Sequence, residues 1–557
     1  MCGFLLLGAV DSFILSIFVA QLDFTVGVIH SPMWNLNYPL GIQNFEKLRD
    51  AGLLYIDKTR FVYELVRRPG YYFLARPRRF GKSLFLSTIK ACCEGKKHLF
   101  SGLDIESLMP GDWPRRPVLY LDFVSGDFDS SEAVAEVLDK TLSRWETEYG
   151  VTEPSGSFAR RMETVIRRAS ETSGQKVVIL VDEYDRPLTS NYDHPEIMEE
   201  IREQLYGFYS VFKGMDEYIH MGMLTGVTKF GKLSIFSGLN NLHDISLNET
   251  FAGVCGVTDE ELHSYLTPGI EELAEKRSLT IGETFGRLKA YYDGYHFSEN
   301  LLDIYNPYSV MSALAEKRLG DFWFESGTPT LLFQAIRRHQ AVLSDIPGSS
   351  VAPGRLTGSP MDGTSIIPLL YQSGYLTIRS YDSQSDRFTL DFPNIEVKKG
   401  FFECLLPALS GHSDESADSF INKVCSALKR GDAESFVGEL KSYLADIPYD
   451  LRRDIGRYES YYQNLFYSIV KMLGFKVEAE YHTSAGSIDI LIKTDQFVYI
   501  VELKLRGSAR DAIRQIEERG YALPFETDGR KSIRIGLSFS MSTHTVDDCI
   551  VEDGGLL

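Results

Sequence analysis

The sequence predicts a multidomain α/β protein built on a parallel-sheet core, and three observations carry that expectation. The apolar run Tyr71 to Ala75 leads through a Pro-containing turn into Gly81-Lys82-Ser83. The run Val177 to Val181 is wholly apolar and ends in Asp182-Glu183, as expected of a strand buried on both faces of a parallel sheet. Near the C-terminal end, Asp489, Glu502 and Lys504 fall on apolar strands in a D…E-x-K pattern.

Size and composition admit this. At 557 residues the chain can hold two to four domains with full-sized cores, and a hydrophobic fraction of 44% is ordinary for a globular protein. A net charge of −19 argues against a surface that coats nucleic acid generally, but leaves room for a local basic cleft. The seven cysteines form no C-x-x-C pair, which fits a reduced intracellular protein, cytoplasmic or nuclear, without structural zinc. From Gly3 to Ile29 the chain is largely apolar, yet no basic residue precedes Lys47 and Asp11 interrupts the run. A signal peptide is therefore not expected, and a membrane anchor is disfavoured against an added buried helix or an ill-defined start.

Strand, turn and Gly81-Lys82-Ser83 have the layout of a phosphate-binding loop. Backbone N–H groups of Arg79, Phe80 and Gly81 at the helix start would face an anion, Lys82 would reach the β- and γ-phosphates, and Ser83 would ligate Mg²⁺. Gly-Lys-Ser also begins ordinary helices, and Arg76 stands where the usual pattern has its first glycine. The Asp182-Glu183 strand, roughly 100 residues later, supplies the second motif of an ATP-hydrolysing site. Asp182 would hold Mg²⁺ through water and Glu183 would orient or activate the attacking water. The strand from Tyr218 to Leu224 is followed by Thr225, which either touches the γ-phosphate or caps a turn. Helices are expected over 131–149 and 157–171, giving alternating strands and helices.

The runs Pro39 to Phe45, Tyr55-Ile56-Asp57-Lys58-Thr59, Arg76 to Ser83, Val181 to Asp185 and Phe236 to Asn241 resemble the AAA-ATPase-like family. That resemblance covers nearly everything after residue 37 and makes the arginine-bearing loop the usual form. It implies a P-loop NTPase (AAA-like) core over 37–250, after an apolar extension over 1–36. A helical lid over 251–350 and a winged-helix-like module with linker over 351–450 would follow. The helix and hairpin between Leu369 and Leu390 fit that module equally as a structural hairpin burying the lid.

The last region, 451–557, is similar to the PD-(D/E)XK nuclease core, a restriction-endonuclease-like α/β domain. Glu502 and Lys504 share one strand face, and Asp489 on the preceding strand brings a second carboxylate. Two carboxylates suit a hard cation such as Mg²⁺, and Lys504 would orient water or neutralise developing charge. By resemblance, Glu459 is the acid of the first core helix and Gln515 the polar residue of the later one. Arg506, Arg510 and Arg514 either contact phosphates or form a solvated stripe. The expected function is ATP-regulated, Mg²⁺-dependent cleavage of DNA or RNA. Its alternative is an NTP-driven switch or adaptor that binds nucleic acid without cutting it. A homo-oligomer is compatible with the resemblance, and a membrane partner is not expected.

Overall fold

The structure is a computed structural model that describes residues 37–230, 242–325, 330–339, 343, 346–359, 365–447, 459–473, 476–483, 486–504, 507–525, 527–540 and 545–554. The apolar segment 3–29, the run Phe236 to Asn241 and Arg506 lie outside the described residues.

The first sheet consists of β1 (Gly70–Ala75), β2 (Val118–Asp122), β3 (Val177–Asp182), β4 (Ile219–Gly226) and β5 (Leu242–Asp244). All pairings are parallel, in the order β2-β3-β4-β1-β5. Alternation along each strand divides the side chains between two layers. Tyr72, Leu74, Val178 and Leu180 pack with Phe85, Leu86 and Ile89 of the helix Lys82–Cys93. Tyr71, Phe73, Val177, Ile179 and Val181 join the helices Ser131–Glu148, Phe158–Ser173 and Pro195–Gly214. Because both faces are covered, β3 is buried along its whole length, which explains its unbroken apolar sequence.

Local chemistry sets the ends of the elements. Asn44 accepts from the Lys47 N–H and starts the helix Phe45–Asp50, while Ser130 and Ser157 cap the next two long helices in the same way. The Tyr55-Ile56-Asp57-Lys58-Thr59 run is a clasp. Asp57 accepts from the Thr59 and Asp104 N–H groups, and buried Lys58 bonds both the Gly253 carbonyl and Glu261. Glu261 in turn completes a capping box with Thr258 at the start of the helix Asp259–Arg277.

Arg76 sits where a phosphate loop usually has glycine, and its side chain turns inward. It is 1% exposed and donates to the carbonyls of Ala75, Ser246, Phe251 and Ala252, with its guanidinium 4.1 Å from the Phe297 ring centroid. The arginine therefore ties the end of β1 to the segment after β5.

Between the sheet and the C-terminal region, β6 (Val257–Thr258) pairs with β7 (Ile304–Tyr305) among helices. Next comes the helix Thr330–His339. A small antiparallel sheet follows, of β8 (Ser350–Val351), β9 (Thr377–Asp382) and β10 (Arg387–Asp391), in the order β8-β10-β9. With the helices Pro353–Leu356 and Ile367–Gln372 between β8 and β9, this is the element order of a winged-helix-like module. The described part of residues 340–363 thus contains a strand and a helical turn. Pro368 to Gln372 are all buried, so the helix before the hairpin packs into the protein and presents no groove-reading face.

The last sheet is mixed: β11 (Lys476–Thr483), β12 (Gly486–Lys493), β13 (Phe497–Lys504), β14 (Lys531–Ser540) and β15 (Thr545–Gly554), in that order. Only β13 and β14 run parallel. Leu491, Val498 and Ile500 pack under Ile513 and Ile516 of the helix Ala509–Glu518. Ile490, Tyr499 and Val501 face the opposite layer, with Leu465 and Ile469 of the helix Glu459–Met472. Among the described residues, no helix is long and apolar enough to cross a membrane.

Restoring the glycine of the usual loop should harm this fold. Arg76→Gly leaves buried carbonyls without their charged donor, at a cost of about 3 kcal/mol or more. Urea denaturation followed by tryptophan fluorescence is expected to show a clearly weakened chain. An unchanged midpoint would mean that the arginine is not the tie described above.

Candidate functional sites

The first site lies where β1, β3 and β4 end. A cavity of about 460 Å³ opens there, lined by Gly81, Lys82, Ser83, Glu183, Asp185 and Thr228, among others. Its volume lies within the range of small-molecule sites. Lys82 is buried and donates to the carbonyls of Arg76 (2.9 Å) and Pro77 (3.2 Å), making no ion pair among the described residues. The loop therefore curls around its own lysine. Gly81 has φ +96° and an unobstructed Cβ position, so the helix start is open on that side. Six non-glycine residues have positive φ among the described ones, and two of them, Arg79 (φ 116) and Glu183 (φ 49), border this cavity. Such backbone persists only where surrounding contacts enforce it. Phe80 does part of that work by inserting its ring between Tyr295 and Phe297.

Asp182 is buried at the end of β3. It accepts from Thr225 Oγ1 (2.7 Å) and from the Glu183 N–H (3.1 Å), with Tyr120 Oη at 3.4 Å. Thr225 therefore lies within β4, on the strand between β3 and β1, and its hydroxyl is spent on Asp182. Glu183 comes next and lines the cavity. Burial raises its pKa, opposed by the nearby charge of Lys82. Sequence reasoning passed over Asp185 and Thr228. Asp185 accepts from the Val227 and Thr228 N–H groups and from Thr228 Oγ1, and burial raises its pKa too. The acid in Glu183-Tyr184-Asp185 was visible, but its target on the β4 loop is a tertiary contact.

The second site lies on the face of the last sheet covered by the helix Ala509–Glu518. Ile490 pairs with Val501, which brings Asp489 beside Glu502. Asp489 Oδ2 accepts from the Leu503 N–H at 2.7 Å. Lys504 Nζ lies 3.3 Å from Glu502 Oε1 and also donates to Gln515 Oε1, while Gln515 Nε2 donates to Glu502 Oε1. Asp489, Glu502, Lys504 and Gln515 thus converge. Glu502 is 1% exposed, and burial together with the Asp489 charge raises its pKa to about 7. Its other oxygen, Oε2, is buried without a hydrogen-bond partner among the described residues. An orphaned carboxylate oxygen beside a second carboxylate fits a cation with oxygen ligands. No group of three or more His, Cys, Asp or Glu suited to a metal occurs among the described residues. Glu459 begins the helix Glu459–Met472, and its side chain lies outside the described ones. Arg510 is exposed on the covering helix, and Arg514 pairs with Asp511.

Known proteins match at both sites. The family model described as "Predicted AAA-ATPase" matches residues 39–236, and that of the PD-(D/E)XK nuclease superfamily matches residues 457–548. An uncharacterized protein in the vnfD 5′ region of Azotobacter chroococcum mcd 1 is 33% identical over 527 residues, spanning 93% of this chain and 99% of that protein. The loop and the acid-tipped strand fall within the first match and the D…E-x-K face within the second, and the chain belongs to the AAA-ATPase-like family, with a PD-(D/E)XK nuclease-like domain at its C-terminal end.

Proposed function

We propose that the protein binds and hydrolyses ATP at the first site and cuts nucleic acid phosphodiesters at the second, each with Mg²⁺. The observation that carries the nuclease reading is the buried, unpartnered Glu502 Oε2 beside Asp489, with Lys504 held against both Glu502 and Gln515. A structural ion pair needs no second carboxylate. Asp489 and Glu502 would hold the cation, which when bound supplies Lewis acidity and a more acidic water. Gln515 fixes the Lys504 ammonium where negative charge develops on the phosphoryl oxygens. Exposed Arg510 supports binding of the nucleic acid backbone, whether DNA or RNA.

At the first site Lys82 would exchange two backbone carbonyls for phosphate oxygens, and Ser83 stands beside it for Mg²⁺. Asp182, oriented by Thr225, would hold the water shell of that ion, and Glu183 would accept a proton from the attacking water. Burial raises the Glu183 pKa, which strengthens its carboxylate as a base.

Lys82→Ala is expected to abolish ATP binding in calorimetry, whereas Glu183→Gln retains ATP and slows its hydrolysis. Equal turnover by the Gln variant and the wild type would remove Glu183 from the chemistry. Asp489→Asn, Glu502→Gln and Lys504→Ala should each suppress cleavage of labelled DNA or RNA on the order of 100-fold or more, since metal and positioned charge contribute several kcal/mol. ATP hydrolysis without nucleic acid should persist in all three. Wild-type protein that cuts neither polymer with Mg²⁺ or Mn²⁺ would turn the argument to the switch reading.

Glu502 also sets a pH dependence. Its carboxyl is protonated below about pH 7, so Mn²⁺ affinity of the nucleotide-free chain should fall roughly tenfold per unit below that value. Between pH 4.5 and about 7 the folded chain keeps a proton that the unfolded chain releases, so Glu502 makes stability decline as pH rises through this window. Glu502→Gln should remove both slopes. Calorimetric titrations at three pH values check the first, and denaturation midpoints check the second.

A further inference from the structure

Phosphoryl transfer in P-loop enzymes often requires an arginine at the terminal phosphate, supplied by the same chain or by a neighbour. Four arginines stand at or near the nucleotide cavity: Arg76, Arg78, Arg79 and Arg186. Arg76 is excluded because its guanidinium is buried on backbone carbonyls. Arg79 lies with its guanidinium 4.6 Å from the Tyr308 ring centroid, against the helical region. Arg78 is exposed, and its backbone carbonyl accepts from Trp323 Nε1 on the side of the cavity lined by Trp323 and Tyr375. Arg186 stands beside Glu183. It lines the same cavity as Lys82, Ser83 and Glu183, three residues beyond Glu183 at the start of the turn Arg186–Thr189.

We infer that Arg186 is the arginine this chain supplies in cis to the terminal phosphate of a nucleoside triphosphate, so that no neighbouring subunit need provide one. The inference rests on nucleotide binding at the first site. Its contacts suit a group that changes partners. The nearest guanidinium nitrogen is 3.6 Å from Glu183 Oε2, too far for a hydrogen bond, and the same Nη1 donates to the Val124 carbonyl. With 37% of its side chain exposed, Arg186 loses little by leaving that surface pair. A guanidinium beside Glu183 can bind phosphate oxygens in a fork. Swinging to the phosphate would also free the Glu183 carboxylate to accept a proton. A diphosphate gives the arginine no terminal group to reach, and Arg186 then distinguishes the two nucleotides.

The test compares the affinities of a non-hydrolysable ATP analogue and of ADP by calorimetry with the full chain and Mg²⁺. Arg186→Ala should lose roughly tenfold in affinity for the triphosphate analogue and leave ADP within about twofold, as removal of one charge-assisted contact implies. Retained ADP affinity shows that the variant is folded, and Arg186→Lys, which keeps charge without the fork, should lie between. Hydrolysis should fall on the order of 1,000-fold in Arg186→Ala. The wild-type rate per chain should not change on dilution. Equal losses for both nucleotides, or no loss, would make Arg186 a structural tie to Val124 and overturn the inference. A triphosphate-specific loss in Arg78→Ala instead, or a rate per chain that rises with protein concentration, would overturn it as well. Wild-type protein that binds neither nucleotide would bring down the nucleotide reading itself, a result distinct from the others.

Discussion

The buried guanidinium of Arg76 is the interaction on which the nucleotide half of the protein depends. A charge taken out of water is tolerated only when its donors are met, and here backbone carbonyls and the face of Phe297 meet them. Burial lowers the arginine's pKa, yet it stays charged at any ordinary pH. Through these contacts the end of β1, the segment after β5 and the region of Phe297 become one unit. The same residue's own carbonyl receives Lys82, so the tie and the phosphate loop share a backbone. A glycine would make the loop more pliable and leave it unattached.

From that loop a line of contacts reaches the winged-helix-like module. Asp185 fixes Thr228, and the next N–H, of Lys229, donates to Gln372 Oε1 at 2.8 Å. Buried Gln372 spends its amide on the carbonyls of Leu356 and Gly358. Ser373 and Tyr375 then line the cavity itself. The module's helix faces the ATPase-like core, and the residues after it form part of the cavity wall. The C-terminal domain is joined through apolar and polar contacts alike: Tyr499 donates to the Leu428 carbonyl at 2.7 Å, and Phe402 packs against Tyr467.

The two sites use charge differently. Around Lys82 the protein keeps an amine among backbone carbonyls with no ion pair among the described residues, although Glu183 and Asp185 line the same cavity. At Glu502 it presses a carboxylate against another carboxylate under an apolar helix and raises its pKa. That cost is relieved by a cation. Gln515 and Lys504 hold the geometry meanwhile.

By itself the sequence determined on which elements the candidate residues of both sites fall. The unbroken apolar run before Asp182 required a central strand, because only a sheet covered on both faces buries every residue of it. Alternation in Phe497 to Lys504 put Glu502 and Lys504 on one face, and the turn before Gly81 placed Lys82 at a helix start. Tertiary structure alone decided the rest, since partners distant in sequence leave no local pattern. The direction of Arg76, the use of Thr225 on Asp182, the Asp185 bonds to the β4 loop and the orphaned Glu502 oxygen all depend on segments brought together from 13 to 175 residues apart. The helix Ile367–Gln372 shows the same limit: its type was legible from composition, but which way it faced was settled by what it buried.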